Sequence, residues 1–143
     1  MVNRDLLAAK LAELSDRVGR VRAHAPATLE ALENNRDVLD LVAFNLMLSV
    51  QSCADIASHL IADERWPAAA SLAESFVRLE QQRVITAKTA RALAQAVGLL
   101  NVVAHGYAGL DVRRCFEAAH TGLVDLESFA REVSAWAQAQ RSS

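Results

Sequence analysis

Asn101, His105 and Tyr107 form a short run of side chains able to work on a polar substrate. Asn101 and His105 are four residues apart, so on a helix they share one face. An imidazole titrates near neutrality, and beside an amide donor it can act as a general acid or base. Gly106 follows at once, the residue type that commonly ends a helix in the left-handed conformation. The end of a helix also favours imidazolium, so the same histidine serves equally well as a plain helix-end cation. Tyr107 would then project its hydroxyl from an exposed corner beyond the helix. A second row, Gln51, Asp55 and His59, repeats the four-residue spacing and continues the side of Phe44 and Leu48. A carboxylate next to apolar side chains needs a partner, or its charged form is costly. An exposed polar edge is the other reading of that row.

Other chemistries lack their parts. Glu117-x-x-His120 has the spacing of a carboxylate-bridged di-metal bundle, but such a site needs a second pair and two further glutamates. No cysteine–histidine cluster has zinc spacing, and neither a phosphate-cradling glycine loop nor a Gly-x-Ser-x-Gly elbow occurs. No metal or cofactor is expected. Cys53 and Cys115 fall on apolar phases of separate helices and read as buried thiols in a reducing cytoplasm. A net charge of −2 argues against a general nucleic-acid binder, although residues 65–114 carry +4 and contain the Asn101–His105 pair.

The elements that must position these residues are helical. Ala and Leu supply 47 of 143 residues, and Gly plus Pro only seven, so helix formers dominate and breakers are scarce. Asn3 caps a first helix with Leu7, Leu11, Leu14, Val18 and Val21 on one stripe. After Pro26, Thr28 opens a long second helix to about Ala62, with a bend expected near Asn34-Asn35. Trp66-Pro67 breaks the chain, and Ser71-x-x-Glu74 is a capping box for a short third helix. Thr86 caps the fourth helix, which carries Leu93, Val97, Leu100 and Ala104. Asp111 caps the fifth, with Gly122 as a candidate bend and a frayed tail after Trp136. Short connections imply an all-α, up-and-down antiparallel bundle of about five helices in a single domain over 1–143. No segment reads as a signal peptide or a membrane span. The second helix is apolar on more than one side, which points to a homodimer with Phe44, Leu48, Gln51 and Asp55 at or near its interface.

From Asp37 to Val112 the chain resembles the HepT-like branch of the HEPN superfamily. The matching pieces are Gln51-Ser-Cys-Ala-Asp55-Ile-Ala-Ser-His59-Leu-Ile, then Pro67…Glu74-Ser-Phe76-Val-Arg-Leu79, then Val84-Ile85, then Asn101-Val-Val-Ala-His105-Gly-Tyr107-Ala-Gly-Leu-Asp111. The resemblance implies a dimeric helical bundle and a metal-independent endoribonuclease toxin. It also implies a partner, a small nucleotidyltransferase antitoxin that transfers AMP to the toxin. The family signature is Arg-Asn, three residues, His, one residue, Tyr. Its Asn and His fall on Asn101 and His105 as the catalytic pair, its Tyr on Tyr107 as the AMP acceptor, with Asp55 and Gln51 as the supporting polar cluster. The arginine does not carry over, because Leu100 stands in its place. Loss of such a charge clamp costs ~10²–10⁵ in rate, on the scale of oxyanion donors and arginine fingers. Low activity, increased by Leu100→Arg, is therefore expected. A catalytically silent relative acting as a binding or scaffold module is the alternative.

Overall fold

The chain is described by a computed structural model covering residues 2–104 and 111–141, with the backbone alone at 99–104 and 141. Six α-helices, and no strand, are present among the described residues: α1 Arg4–His24, α2 Leu29–Glu33, α3 Arg36–Asp63, α4 Leu72–Gln81, α5 Ala87–Ala104 and α6 Val112–Arg141. The all-α expectation holds, with one helix more than the five expected.

The extra helix comes from Asn34-Asn35. Where the sequence suggested a bend, the chain breaks: Asn34 ends α2, and the Asn35 side chain accepts from Val38 N at 3.1 Å to open α3. Asparagine competes locally for backbone hydrogen bonds, so two in a row supply one stop and one start. The other helix starts follow their caps. The side-chain oxygens of Asn3, Thr28, Ser71 and Thr86 accept from Leu6 N, Ala31 N, Glu74 N and Thr89 N respectively, at 3.1 to 3.2 Å. The Glu74 carboxylate reaches back to Ala70 N at 2.7 Å, one residue before its usual target in a capping box. Helices α3 and α4 end on Arg65 and Arg83, both at positive φ (59° and 61°). In each case the next residue bonds back five positions, Trp66 N to Ile61 O and Val84 N to Leu79 O, the closure usually given to glycine.

Helix α3 runs through the middle and touches all five others. It is long and apolar enough by composition to cross a membrane, but most of its apolar stretch is buried within the bundle, among them Val42, Leu46, Val50, Cys53, Ile56, Ala57 and Leu60. Phe76 of α4 and Phe129 of α6, both fully buried, meet edge-on with centroids 6.0 Å apart. Each ring's burial contributes about 1.5–3 kcal/mol, and the pair geometry roughly 0.5–1.5 more. The tail expected to fray after Trp136 is helical to Arg141. Trp136 and Ala137 pack on the core, and Trp136 lies 5.8 Å from Trp66, which pins this end. Helix α6 passes unbroken through Gly122.

Candidate functional site at the α5–α6 corner

Helix α5 is held firmly at its beginning. One oxygen of Glu132, from α6, accepts from Thr86 N at 2.7 Å, and the other accepts from Thr89 Oγ1 at 2.8 Å. A carboxylate at a helix N-terminus satisfies free N–H groups and complements the helix dipole. From there α5 runs to Ala104, so the backbone of Leu100 and Asn101 lies in its final turns, as the sequence predicted. His105, Gly106 and Tyr107 lie outside the described residues. The chain returns at Asp111, whose carboxylate accepts from Arg113 N at 3.0 Å and Arg114 N at 3.4 Å to start α6. The end of α5 and the start of α6 are thus joined by seven residues that contain the candidate histidine and tyrosine.

The Gln51–Asp55–His59 row does not act as one unit. His59 Nε2 stands 3.2 Å from Asp63 Oδ2 on the same helix, and Asp63, whose Oδ2 accepts from Asn3 N at 2.9 Å, is the residue that ties the end of α3 to the start of α1. Gln51 and Asp55 are exposed, and among the described residues neither has a hydrogen-bond or ion-pair partner. Leu48 is half-buried and Phe44 is 49% exposed, an unusual fraction for a ring on the central helix. The four residues share one open face of α3.

Sequence reading missed a groove between α5 and α6, floored by Leu46 and Val50 of α3, with a volume of about 210 Å³. Small residues leave this space open: Ala92 and Ala96 on α5 face Ala118 and Gly122 on α6. Its polar groups are Gln95, Arg114, Glu117, Thr121 and Asp125. The helical spacing of 114, 118, 121 and 125 was readable, but which side of α5 they meet was not. Arg114 lies at the Asn101 end, where its Nη2 is 3.7 Å from the point a Cβ on Gly98 would occupy.

The thiols are excluded from this chemistry. Burial pushes Cys53 far above the ordinary thiol range and Cys115 up to about 11, which removes the thiolate that reactivity requires. Among the described residues no group of three or more His, Cys, Asp or Glu side chains could hold a metal ion. The histidine of Glu117-x-x-His120 is used otherwise: its Nε2 sits 2.9 Å from Pro26 O.

Comparison with known proteins gives a consistent result. Residues 14–133 match the family model described as ribonuclease HepT-like. Over 96 residues the chain is 30% identical to the mRNA nuclease HepT of Shewanella oneidensis, an alignment covering 67% of this chain and 72% of that protein. The tri-AMPylated Shewanella oneidensis HEPN toxin, solved in complex with an MNT antitoxin, superposes with a TM-score of 0.84 at 25% identity, covering 92% of this chain and 98% of that one. A toxin–antitoxin structure containing AMP-PNP superposes with a TM-score of 0.86 at 24% identity over the same shares.

Proposed function

The chain belongs to the ribonuclease HepT-like family, and on that premise we propose that it is a metal-independent endoribonuclease toxin, active as a cytoplasmic homodimer and restrained by a nucleotidyltransferase antitoxin. The observation that carries this reading is the sequence run Asn101-x-x-x-His105-x-Tyr107, which begins on α5, a helix anchored at its start by Glu132. In the proposed reaction the ribose 2′-oxygen attacks the adjacent phosphorus while the bond from phosphorus to the 5′-oxygen breaks. One proton leaves the 2′-hydroxyl and another arrives at the departing oxygen. His105 is the acid/base for these transfers, and Asn101 orients the phosphate by donating from its amide. Asp55 and Gln51, exposed on α3, support the polar surface when two copies meet.

The antitoxin belongs to the proposal because the Shewanella toxin was solved AMPylated and in complex with an MNT antitoxin. Tyr107 is the AMP acceptor proposed here. The test is incubation of the purified protein with cellular RNA in chelator-containing buffer. Cleavage is expected, and His105→Ala should reduce it by ~10²–10⁴, the usual share of general acid–base catalysis. RNA left intact by the native protein would support the second reading, a silent binding module, which Leu100 favours.

A further inference from the structure

We infer that Arg114, reaching from the first turn of α6 onto α5, is the cation that contacts the RNA phosphate in this chain, replacing the arginine that position 100 lacks. The inference rests on the ribonuclease reading above and names a residue for it. Three observations carry it.

The guanidinium of Arg114 lies against α5 at Gly98, its Nη2 3.7 Å from where a Cβ would stand, an ordinary van der Waals distance. Positions 98 and 101 are three residues apart on a regular helix and face within about 60° of each other, so Arg114 arrives on the Asn101 side of α5. Position 105 continues the seven-residue spacing in the sequence. Finally, Arg114 is exposed, and its side chain has no ion pair or hydrogen bond among the described residues, although Glu117 and Asp125 line the same groove. Its fork of donors is therefore available for a bidentate contact with phosphate oxygens.

The other nearby arginines fit less well. Arg91 stands seven residues before Gly98, about 10 Å back along α5. Arg113 is rotated by about 100° from Arg114 on α6, away from the contact with Gly98. An arginine at position 100 would reach the phosphate from along α5, whereas Arg114 reaches it across from α6.

The test uses the whole protein and a fluorescent single-stranded RNA. Binding is measured across salt concentrations for His105→Ala, which keeps the RNA intact, and for His105→Ala combined with Arg114→Ala. Loss of one phosphate contact should weaken binding several-fold and flatten the log–log salt slope by about 0.7. A merely structural role would not produce that change in slope. In cleavage assays Arg114→Ala should lose ~10² in rate, and adding Leu100→Arg to it should restore at least about tenfold. Arg113→Ala should stay within about twofold of native. Each variant is checked for native helicity and melting temperature. An unchanged slope together with unchanged cleavage in folded Arg114→Ala overturns the inference. Failure of the ribonuclease reading looks different: the native protein does not cleave, while the slope still reports the Arg114 contact.

Discussion

In the proposed reading, Tyr107 is the residue that couples activity to its restraint. AMP added to its hydroxyl brings bulk and a negative phosphate into the seven-residue connection between α5 and α6, beside the surface that would receive RNA phosphate. Blocking then acts by volume and by like-charge repulsion together. Incubation with the proposed nucleotidyltransferase antitoxin, ATP and magnesium should raise the intact mass by one or more AMP units, and Tyr107→Phe should abolish the increase. Modification that persists in the Phe variant assigns the acceptor elsewhere. At this scale the sequence was informative where the signal is local. The helix caps Asn3, Thr28, Ser71 and Thr86 were recognisable from a single side chain and an N–H three residues ahead, whereas the roles proposed for Asn101, His105 and Tyr107 rest on the family signature they match. Arg114 carries no such local signal. Its contact with Gly98 joins residues on two helices, and the periodicity of one helix carries no information about the register of its neighbour.

The element that sets the geometry is α5, whose two ends have different tasks. Its start is bonded to α6 through Glu132, and its last turn holds the backbone of position 101. Replacing Glu132 by Ala leaves Thr86 N and the Thr89 hydroxyl without their carboxylate. Hydrogen bonds to charged groups contribute roughly 1.5–3 kcal/mol each, so a loss of about 3–6 kcal/mol for the two is expected in denaturant unfolding, together with reduced cleavage from a displaced α5. Stability within about 0.5 kcal/mol of native would show that the two bonds do not anchor the helix. The break at Asn34-Asn35 shows where sequence reading stops at this scale. Two adjacent asparagines are compatible with a kinked helix or with two helices. The caps decide for two, with the backbone of Asn34 closing α2 and the side chain of Asn35 opening α3.

For the whole molecule, burial explains why some expectations held and what remains open. The excess apolarity of α3 was legible, and its central place among five neighbours absorbs most of it. Phe44 is the remainder, half exposed on the same face as Leu48, Gln51 and Asp55. In the proposed homodimer this face is covered by a second copy. Light scattering should give twice the mass of one chain, and Phe44→Asp should give a folded monomer with diminished cleavage, because the partner's face completes the site. A native protein that stays monomeric across micromolar concentrations contradicts the dimer. The reach of the α5–α6 groove was not legible, since it is defined by small residues on opposite helices, and alanines in a helix-rich sequence do not reveal which of them face empty space.

In the proposed reaction RNA is cut by transfer within its own backbone, with His105 moving the protons and no metal taking part. The direct measurement is the chemistry of the new ends after cleavage in chelator. The account predicts a 2′,3′-cyclic phosphate on one fragment and a 5′-hydroxyl on the other, with both lost in His105→Ala. Fragments bearing 5′-phosphate, or cleavage that appears only when a divalent cation is added, would contradict it.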